Sequence, residues 1–242
     1  MKRLTALCVV VASAWASACG GGGSSTAPTT VMPLAVAPTT TVLVAGQTQA
    51  YQAANLATLD NVVTWTSSDP SVLMIDDTGT ATAIAKGFAT ITVTTSVQSA
   101  ALVVQVVPNY QGTWTGKTTS AACTSISGFA SYCSQSLGAA QSLTLNLTQS
   151  GLLISGLLTK SETGGVISGP VGGSIGPGGD VTLTGILTGV SSGANIVAAL
   201  ISWNSLAIDT NMTGIWAANV TSSQILGIAT VQWSLTGVTL AR

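Results

Sequence analysis

Hydrophobic residues in this chain alternate with polar ones, and the spacing of an amphipathic helix is absent from the sequence beyond its N-terminus. Residues 143–147 read Leu-Thr-Leu-Asn-Leu, and residues 229–235 read Ala-Thr-Val-Gln-Trp-Ser-Leu. A period of two places apolar side chains on one face of a strand and polar side chains on the other. The pattern therefore predicts an all-β protein whose strands have one buried and one solvated face.

Short strand candidates separated by turn residues occupy residues 34–107, at the spacing of a β-sandwich. Trp65 lies in the third candidate, and we predict that it belongs to the core. Asp69, Asp76 and Asp77 stand next to Pro or close to Gly, so we interpret them as turn formers, with a calcium site as the alternative. The seven candidates are residues 41–44, 47–53, 62–66, 72–75, 80–85, 89–95 and 100–107.

A second group of strand candidates fills residues 109–242. Tight connections such as Gln149-Ser150-Gly151 favour a sequential antiparallel meander. Closing such a meander into an eight-stranded up-and-down barrel removes exposed strand edges, and a barrel of this size is filled by side chains or holds one small ligand. The eight candidates are residues 111–119, 142–149, 152–160, 166–175, 180–188, 196–203, 212–220 and 227–240.

The first 18 residues have the features of a signal peptide. Lys2 and Arg3 precede an apolar stretch, residues 4–18, that is short for a membrane span and ends in small residues. Ala-Ser-Ala followed by Cys19 resembles the lipobox of bacterial lipoproteins, although that motif usually has Leu where this chain has Ala16. The resemblance implies cleavage before Cys19 and a lipid on its sulfur, while cleavage without lipidation is the alternative.

The cysteine count fits the same interpretation. Cys8 leaves with the leader, and Cys123 and Cys133 are predicted to form a disulfide within the long insertion between the first two barrel strands. Cys19 is then an odd thiol in an oxidising compartment unless it carries lipid. Residues 19–33, rich in Gly, Ser, Thr and Pro, form the predicted flexible linker between anchor and first domain.

Composition narrows the range of functions. The chain has no histidine, which excludes Ser-His-Asp and Cys-His catalysis and His-ligated zinc. The net charge is −1, so a basic surface for nucleic acid is absent. Hydrophobic residues make up 46% of the chain, which is enough for packed cores despite a charged content of only 5%. We expect no metal and no cofactor.

Three segments resemble the group 2 bacterial immunoglobulin-like domains. Residues 62–72, VVTWTSSDPSV, match the signature around the conserved tryptophan of that family, and residues 77–83 and 86–93 match later segments in family order. The resemblance covers residues 34–107. It implies an immunoglobulin-like sandwich that serves as a spacer or adhesion module on a bacterial surface and carries no chemistry.

The second half has a weaker resemblance. Gly112-Thr113-Trp114 is similar to the Gly-x-Trp that opens lipocalin-like and avidin-like barrels. Trp203, Trp216 and Trp233 follow on the last three strands, as core residues or as the lining of a ligand site. No biotin contact of the avidins is carried over, because the polar residues of that site have no counterpart that we identify.

We therefore expect a non-enzymatic lipoprotein that is exported to the cell envelope and anchored at the outer membrane or cell surface. Its immunoglobulin-like domain presents the barrel, residues 109–242, to a protein or glycan partner. A carrier of a small hydrophobic ligand is the alternative. An outer-membrane barrel and an enzyme using Glu162, Asp180 or Asp209 are more remote ones.

Overall fold

The N-terminal sandwich, residues 33–107, is built from short β-strands around one apolar core. The computed structural model describes residues 32–56 and 62–241. Trp65 lies in the core at 8% exposure, as predicted. The strands are β1 (Ala35–Ala37), β2 (Val42–Val44), β3 (Thr48–Ala50), β4 (Gln52–Ala54), β5 (Thr64–Ser67), β6 (Leu73–Ile75), β7 (Thr80–Ala83), β8 (Gly87–Thr94) and β9 (Ser99–Val107).

Two sheets enclose this core. One has the strand order β2-β9-β8-β5 and the other the order β3-β7-β6, while β1 and β4 form a separate pair. All pairs are antiparallel except β2 with β9, where Val42 to Val44 run parallel to Gln105 to Val107. The core is closed by apolar side chains from both sheets, including Leu73, Ile91 and Val104, none of which is exposed to solvent.

The sandwich differs from the sequence prediction in two places. Strand β1 was not predicted, because its three residues are too few to show alternation. The predicted run 47–53 divides into β3 and β4 at Tyr51, whose amide donates to Gly79 O and whose hydroxyl donates to Thr40 O. A buried tyrosine tied to two other loops redirects the chain there.

The second half is a closed eight-stranded barrel in which each strand pairs with the next and the last pairs with the first, as predicted. One short helix, α1, follows the first barrel strand. The elements are β10 (Gly112–Ser127), α1 (Ala130–Ser136), β11 (Ala140–Ser150), β12 (Leu153–Glu162), β13 (Gly165–Ile175), β14 (Val181–Ser191), β15 (Ala194–Ile208), β16 (Asn211–Ser222) and β17 (Gly227–Leu240).

Strand β10 is longer than the sequence predicts. The expected end at Thr119 is wrong, because pairing with β17 continues to Ser127 opposite Gly227. Residues 120–127 contain mainly small and polar side chains and show no alternation, so only backbone pairing marks them as strand. The described part of the chain contains no helix with the length and hydropathy of a transmembrane segment.

Alternating strand directions give the barrel two distinct ends. The helix end carries α1 and the turns after β12, β14 and β16, and the sandwich end carries the turns after β11, β13 and β15. Helix α1 touches β10 and β17 at the first of these ends. At the other end, Lys86 of the sandwich donates to Gly178 O in the turn after β13.

A clamped linker joins the sandwich to the barrel. The Gln149 side chain accepts a hydrogen bond from Tyr110 N at 2.7 Å and donates to Pro108 O at 3.1 Å. Tyr110 is fully buried, and its hydroxyl donates to Gly179 O and accepts from Ala207 N. Val44 and Val107 of the sandwich belong to the same apolar cluster as the barrel core. The two halves thus share a continuous packed boundary at the sandwich end.

Candidate functional site

Large side chains occupy the barrel interior. Trp203, Trp216 and Trp233 are each at most 3% exposed. The Trp216 and Trp233 rings stack with centroids 4.0 Å apart, and Trp203 packs against Trp216 at 5.6 Å. The three predicted tryptophans are therefore one internal stack at the β15–β17 side of the barrel.

The stack is connected to polar side chains of β15 and β10. Trp203 Nε1 donates to Ser205 Oγ at 2.8 Å, and Trp216 Nε1 donates to Thr118 Oγ1 at 2.9 Å. Trp233 Nε1 is buried and has no hydrogen-bond partner among the described residues. A buried indole N–H normally has a hydrogen-bond partner, so Trp233 differs from Trp203 and Trp216 in that its N–H is left unpaired.

A buried ion pair faces the stack across the barrel. Lys160 and Glu162 are two residues apart on β12, so both side chains point to the same face, which is the interior. Lys160 Nζ lies 2.5 Å from Glu162 Oε1, and the side chains are 0% and 1% exposed. The Lys160 ammonium also lies 4.9 Å from the centroid of the Trp233 ring. Two charges removed from water require close pairing and further hydrogen bonds to persist.

Three donors surround the Glu162 carboxylate. Tyr132 of α1 donates its hydroxyl proton to Oε1 at 3.3 Å. Gln141 Nε2 and Ser191 Oγ donate to Oε2 at 3.3 and 3.4 Å. These residues come from α1, β11 and β14, so the Glu162 carboxylate connects these three elements to β12 at the helix end of the barrel.

Burial shifts the titration of two of these groups. Loss of hydration lowers the pKa of Lys160, and the nearby Glu162 charge opposes this shift only in part. Burial, followed by the Glu162 charge, raises the pKa of Tyr132. Both shifts favour the neutral form of the side chain at this site.

Three polar atoms near the pair lack partners among the described residues: Ser120 Oγ, Gln141 Oε1 and Trp233 Nε1. Ser120 is directly opposite Trp233 in the β10–β17 pairing, and Gln141 also contacts Glu162. All three therefore belong to the helix-end polar cluster, which we define as these residues with Lys160, Glu162, Tyr132 and Ser191. Buried unpaired polar atoms mark a place for ordered water or a small polar group.

Helix α1 covers this cluster. Phe129, just before the helix, is fully buried, and Tyr132 is 8% exposed. The Cys123–Cys133 disulfide, predicted from the cysteine count, fastens α1 to β10 with a Cα–Cα distance of 5.4 Å. A crevice of about 130 Å³ lies between α1 and the β14–β15 turn. Its lining includes Tyr132 and Ser191, both of which donate hydrogen bonds to Glu162.

The acidic residues singled out from the sequence do not meet. Glu162 lies at the helix end, whereas Asp180 and Asp209 lie in turns at the sandwich end. Asp69 and Asp76 accept hydrogen bonds from the residues two positions later, in the turns that we interpreted from the sequence. Across residues 32–56 and 62–241, no group of three His, Cys, Asp or Glu side chains is placed to hold a metal ion.

Sequence reasoning named Glu162 but missed its partner Lys160 and the donors around it. The sequence contained evidence for this ion pair, because Leu158, Lys160 and Glu162 continue the alternation of inward-facing residues that begins at Ile154. A lysine at an apolar-face position, two residues from a glutamate, indicates an internal ion pair. Gln141 and Tyr132 carried no comparable signal, since both lay in the insertion that we did not resolve into elements.

Cys19, the predicted signal peptide 1–18 and most of the linker 19–33 lie outside the described residues. Of the residues predicted for lipid attachment, disulfide formation and ligand lining, the structure therefore describes the two disulfide cysteines and the three tryptophans.

Comparison with protein families identifies the N-terminal sandwich. Residues 30–106 match the family model of the bacterial Ig-like domain (group 2), which confirms the resemblance seen in the sequence. Domains of this family are typically extracellular or surface-exposed. A search of curated proteins finds no match to this chain.

Proposed function

We propose that this protein is a non-enzymatic lipoprotein of the cell envelope, held by a lipid on Cys19, whose immunoglobulin-like domain presents the barrel to a protein or glycan partner. The observation that carries the proposal is the clamped linker at residues 108–111. A spacer must hold the domain that it carries in a fixed orientation. The Gln149 and Tyr110 hydrogen bonds fasten the linker to the barrel. The Lys86 contact with Gly178 O and the packing of Val44 and Val107 join the sandwich to it. The family match supports a surface location.

The clamp directs the helix end of the barrel away from the immunoglobulin-like domain. Apolar side chains exposed at that end include Ile126 at 67%, Leu137 at 56% and Leu226 at 88%. Residues 120–141, which include α1, contain no charged side chain. A partner of this surface is bound through apolar contacts and neutral hydrogen bonds, so its affinity depends little on salt.

Binding to cells or to surface proteins tests the role of this end. In the mature full-length protein, Leu226→Glu combined with Ile126→Glu is expected to abolish binding. Leu153→Glu is the matched control, because Leu153 is 66% exposed but lies at the sandwich end of β12. Equal loss of binding in both variants, or binding that weakens steeply with salt, would contradict the proposal.

The anchor has its own test. Metabolic labelling with a fatty-acid analogue should label the wild-type protein and leave Cys19→Ala unlabelled. The variant should then appear in the soluble exported fraction. An unlabelled wild-type protein would show plain secretion instead.

Tyr110→Phe tests the clamp. The change removes one hydroxyl that joins Gly179 O to Ala207 N, so it should cost about 1–3 kcal/mol and make the linker easier to cleave by protease. Small-angle scattering should show a broader distribution of lengths than in wild type. An unchanged profile would remove the main support for a rigid spacer.

A small-ligand carrier is the second candidate, and the three unpartnered polar atoms of the helix-end polar cluster favour it. The filled interior limits such a ligand to a small group entering by the crevice at α1. Native mass spectrometry of the gently purified protein distinguishes the two candidates. An extra mass lost on denaturation supports a carrier, and a bare polypeptide supports a presenting module.

A further inference from the structure

We propose that Lys160 and Glu162 become joined by an amide bond between Lys160 Nζ and Glu162 Cδ, formed by the folded barrel itself. The proposal does not depend on the surface role above, since it concerns only the interior of the barrel. It assigns a covalent modification to a pair that no family match describes.

The geometry brings the reacting groups together. The amine nitrogen lies 2.5 Å from one oxygen of the carboxyl group that it would attack, and both side chains are closed to solvent. Their positions on one strand, two residues apart on the same face, keep them adjacent whenever β12 is formed. Holding two reactants in this way replaces a bimolecular encounter with an intramolecular one.

The surroundings activate the carboxyl group. Tyr132 donates to Oε1, and Gln141 and Ser191 donate to Oε2. When an amine adds to Cδ, negative charge develops on a carboxyl oxygen, and these donors are already placed to stabilise it.

The surroundings also favour the nucleophilic form of the amine. Lys160 is enclosed in the barrel with its nitrogen over the Trp233 ring, and burial lowers the pKa of its ammonium group. Transfer of one proton from Lys160 to Glu162 leaves a neutral amine and a neutral acid. Low polarity disfavours separated charges, so the interior supports this neutral pair better than water does.

The step balances without any further reactant. The Nζ lone pair forms a bond to Cδ, and the bond between Cδ and the protonated oxygen breaks. The departing hydroxyl takes one proton from the amine and leaves as water on the side of Tyr132 and Ser191, which line the crevice at α1. No atom is oxidised or reduced. The product has no buried charges.

Intact-mass spectrometry of the mature full-length protein is the direct test. We expect a mass about 18 Da below that of the sequence, in addition to about 2 Da for the disulfide. After unfolding and reductive methylation, Lys86 and Lys117 should be labelled and Lys160 should not. Trypsin should cut after Lys117 and fail to cut after Lys160.

Two variants separate this reaction from other losses of water. Lys160→Arg keeps the positive charge but should restore the full mass. Glu162→Gln should lose about 17 Da, because the same attack on an amide releases ammonia. A wild-type protein of unreduced mass, with Lys160 labelled as readily as Lys117 after unfolding, would overturn the proposal even if the variants did not fold.

Discussion

The immunoglobulin-like domain and the barrel use polar residues in opposite ways. In the immunoglobulin-like domain, the buried cluster consists of apolar side chains and Tyr51. The carboxylates of Asp69 and Asp76 lie in exposed turns, where they accept hydrogen bonds from backbone amides. In the barrel, the interior holds an ion pair and three unpartnered polar atoms. The difference indicates that apolar packing defines the core of the immunoglobulin-like domain. The barrel instead retains charged and polar side chains at buried positions where stability alone would favour apolar ones.

Removing one member of the ion pair should have the largest effect. Lys160→Met leaves Glu162 buried without a positive partner, which costs about 3–5 kcal/mol of unfolding free energy. Chemical denaturation followed by the emission of the barrel tryptophans measures this loss. Lys117→Met is the control, because Lys117 is exposed on β10 and its replacement should change stability by less than about 0.5 kcal/mol.

The double variant Lys160→Met with Glu162→Leu removes both ionisable groups, and with them the bond proposed between them, and should recover most of the stability lost in the single variant. A double variant as unstable as the single one would show that the pair is needed for packing. In that case the two domains would differ in how their side chains pack and not in whether their interiors hold charges.

Loss of the disulfide should have the next largest effect, and only on the barrel. Cys123→Ser with Cys133→Ser should cost about 3 kcal/mol, because the unfolded chain regains the freedom of a short loop. Hydrogen exchange should then accelerate in α1 and β10 and stay unchanged in β2 and β9. Faster exchange throughout the molecule would mean that the two halves unfold together.

Alkaline pH should also act mainly on the barrel. Burial raises the pKa of Tyr110 to about 12 from its ordinary 10.0 and raises that of Tyr132 as well. Folding keeps these phenols neutral, so their contribution to stability is intact below pH 10 and is lost as the pH rises towards about 12. Tyrosinate absorbance against a denatured control measures this, with Tyr51, whose pKa is raised by burial, as the corresponding group in the first half.

The smallest effect should come from the exposed turn at Asp76. Its Oδ1 accepts hydrogen bonds from the hydroxyl of Thr78 and from the amides of Thr80 and Thr78, which lower the pKa of the carboxyl group below 3.8. The stabilisation is present above that value and is lost as the pH falls through the lowered pKa. Asp76→Ala should lower the melting temperature of the immunoglobulin-like domain slightly, and Asp77→Ala should not. A larger effect of Asp77→Ala would contradict our interpretation of the turn.

Most of the architecture followed from the sequence because alternation and turn residues are local signals. The resemblance around Trp65 located the first half, and the eight strand candidates predicted the barrel. Strand register in the glycine-rich β13 could not be read, because glycine leaves no apolar face. In the structure, Gly169 and Gly173 lie against Ile186 O and Thr182 O, so a side chain at either position would collide with β14.

The polar cluster was harder to predict because it is assembled across the barrel. Ser120, Gln141 and Ser191 come from three strands and are unremarkable in the sequence. Their meeting depends on the stagger of the closed sheet, and Tyr132 joins them only because α1 folds over the end. A local pattern carries no information about such distances between strands.

The parallel pairing of β2 with β9 has a mechanical consequence. Strand β2 lies near the N-terminal end of the described immunoglobulin-like domain, and β9 leads directly into the barrel. A force that pulls the two ends apart acts along both strands in opposite directions, so the hydrogen bonds between them are loaded together in shear and are not opened one after another. The immunoglobulin-like domain is thus arranged to bear tension applied between its two ends.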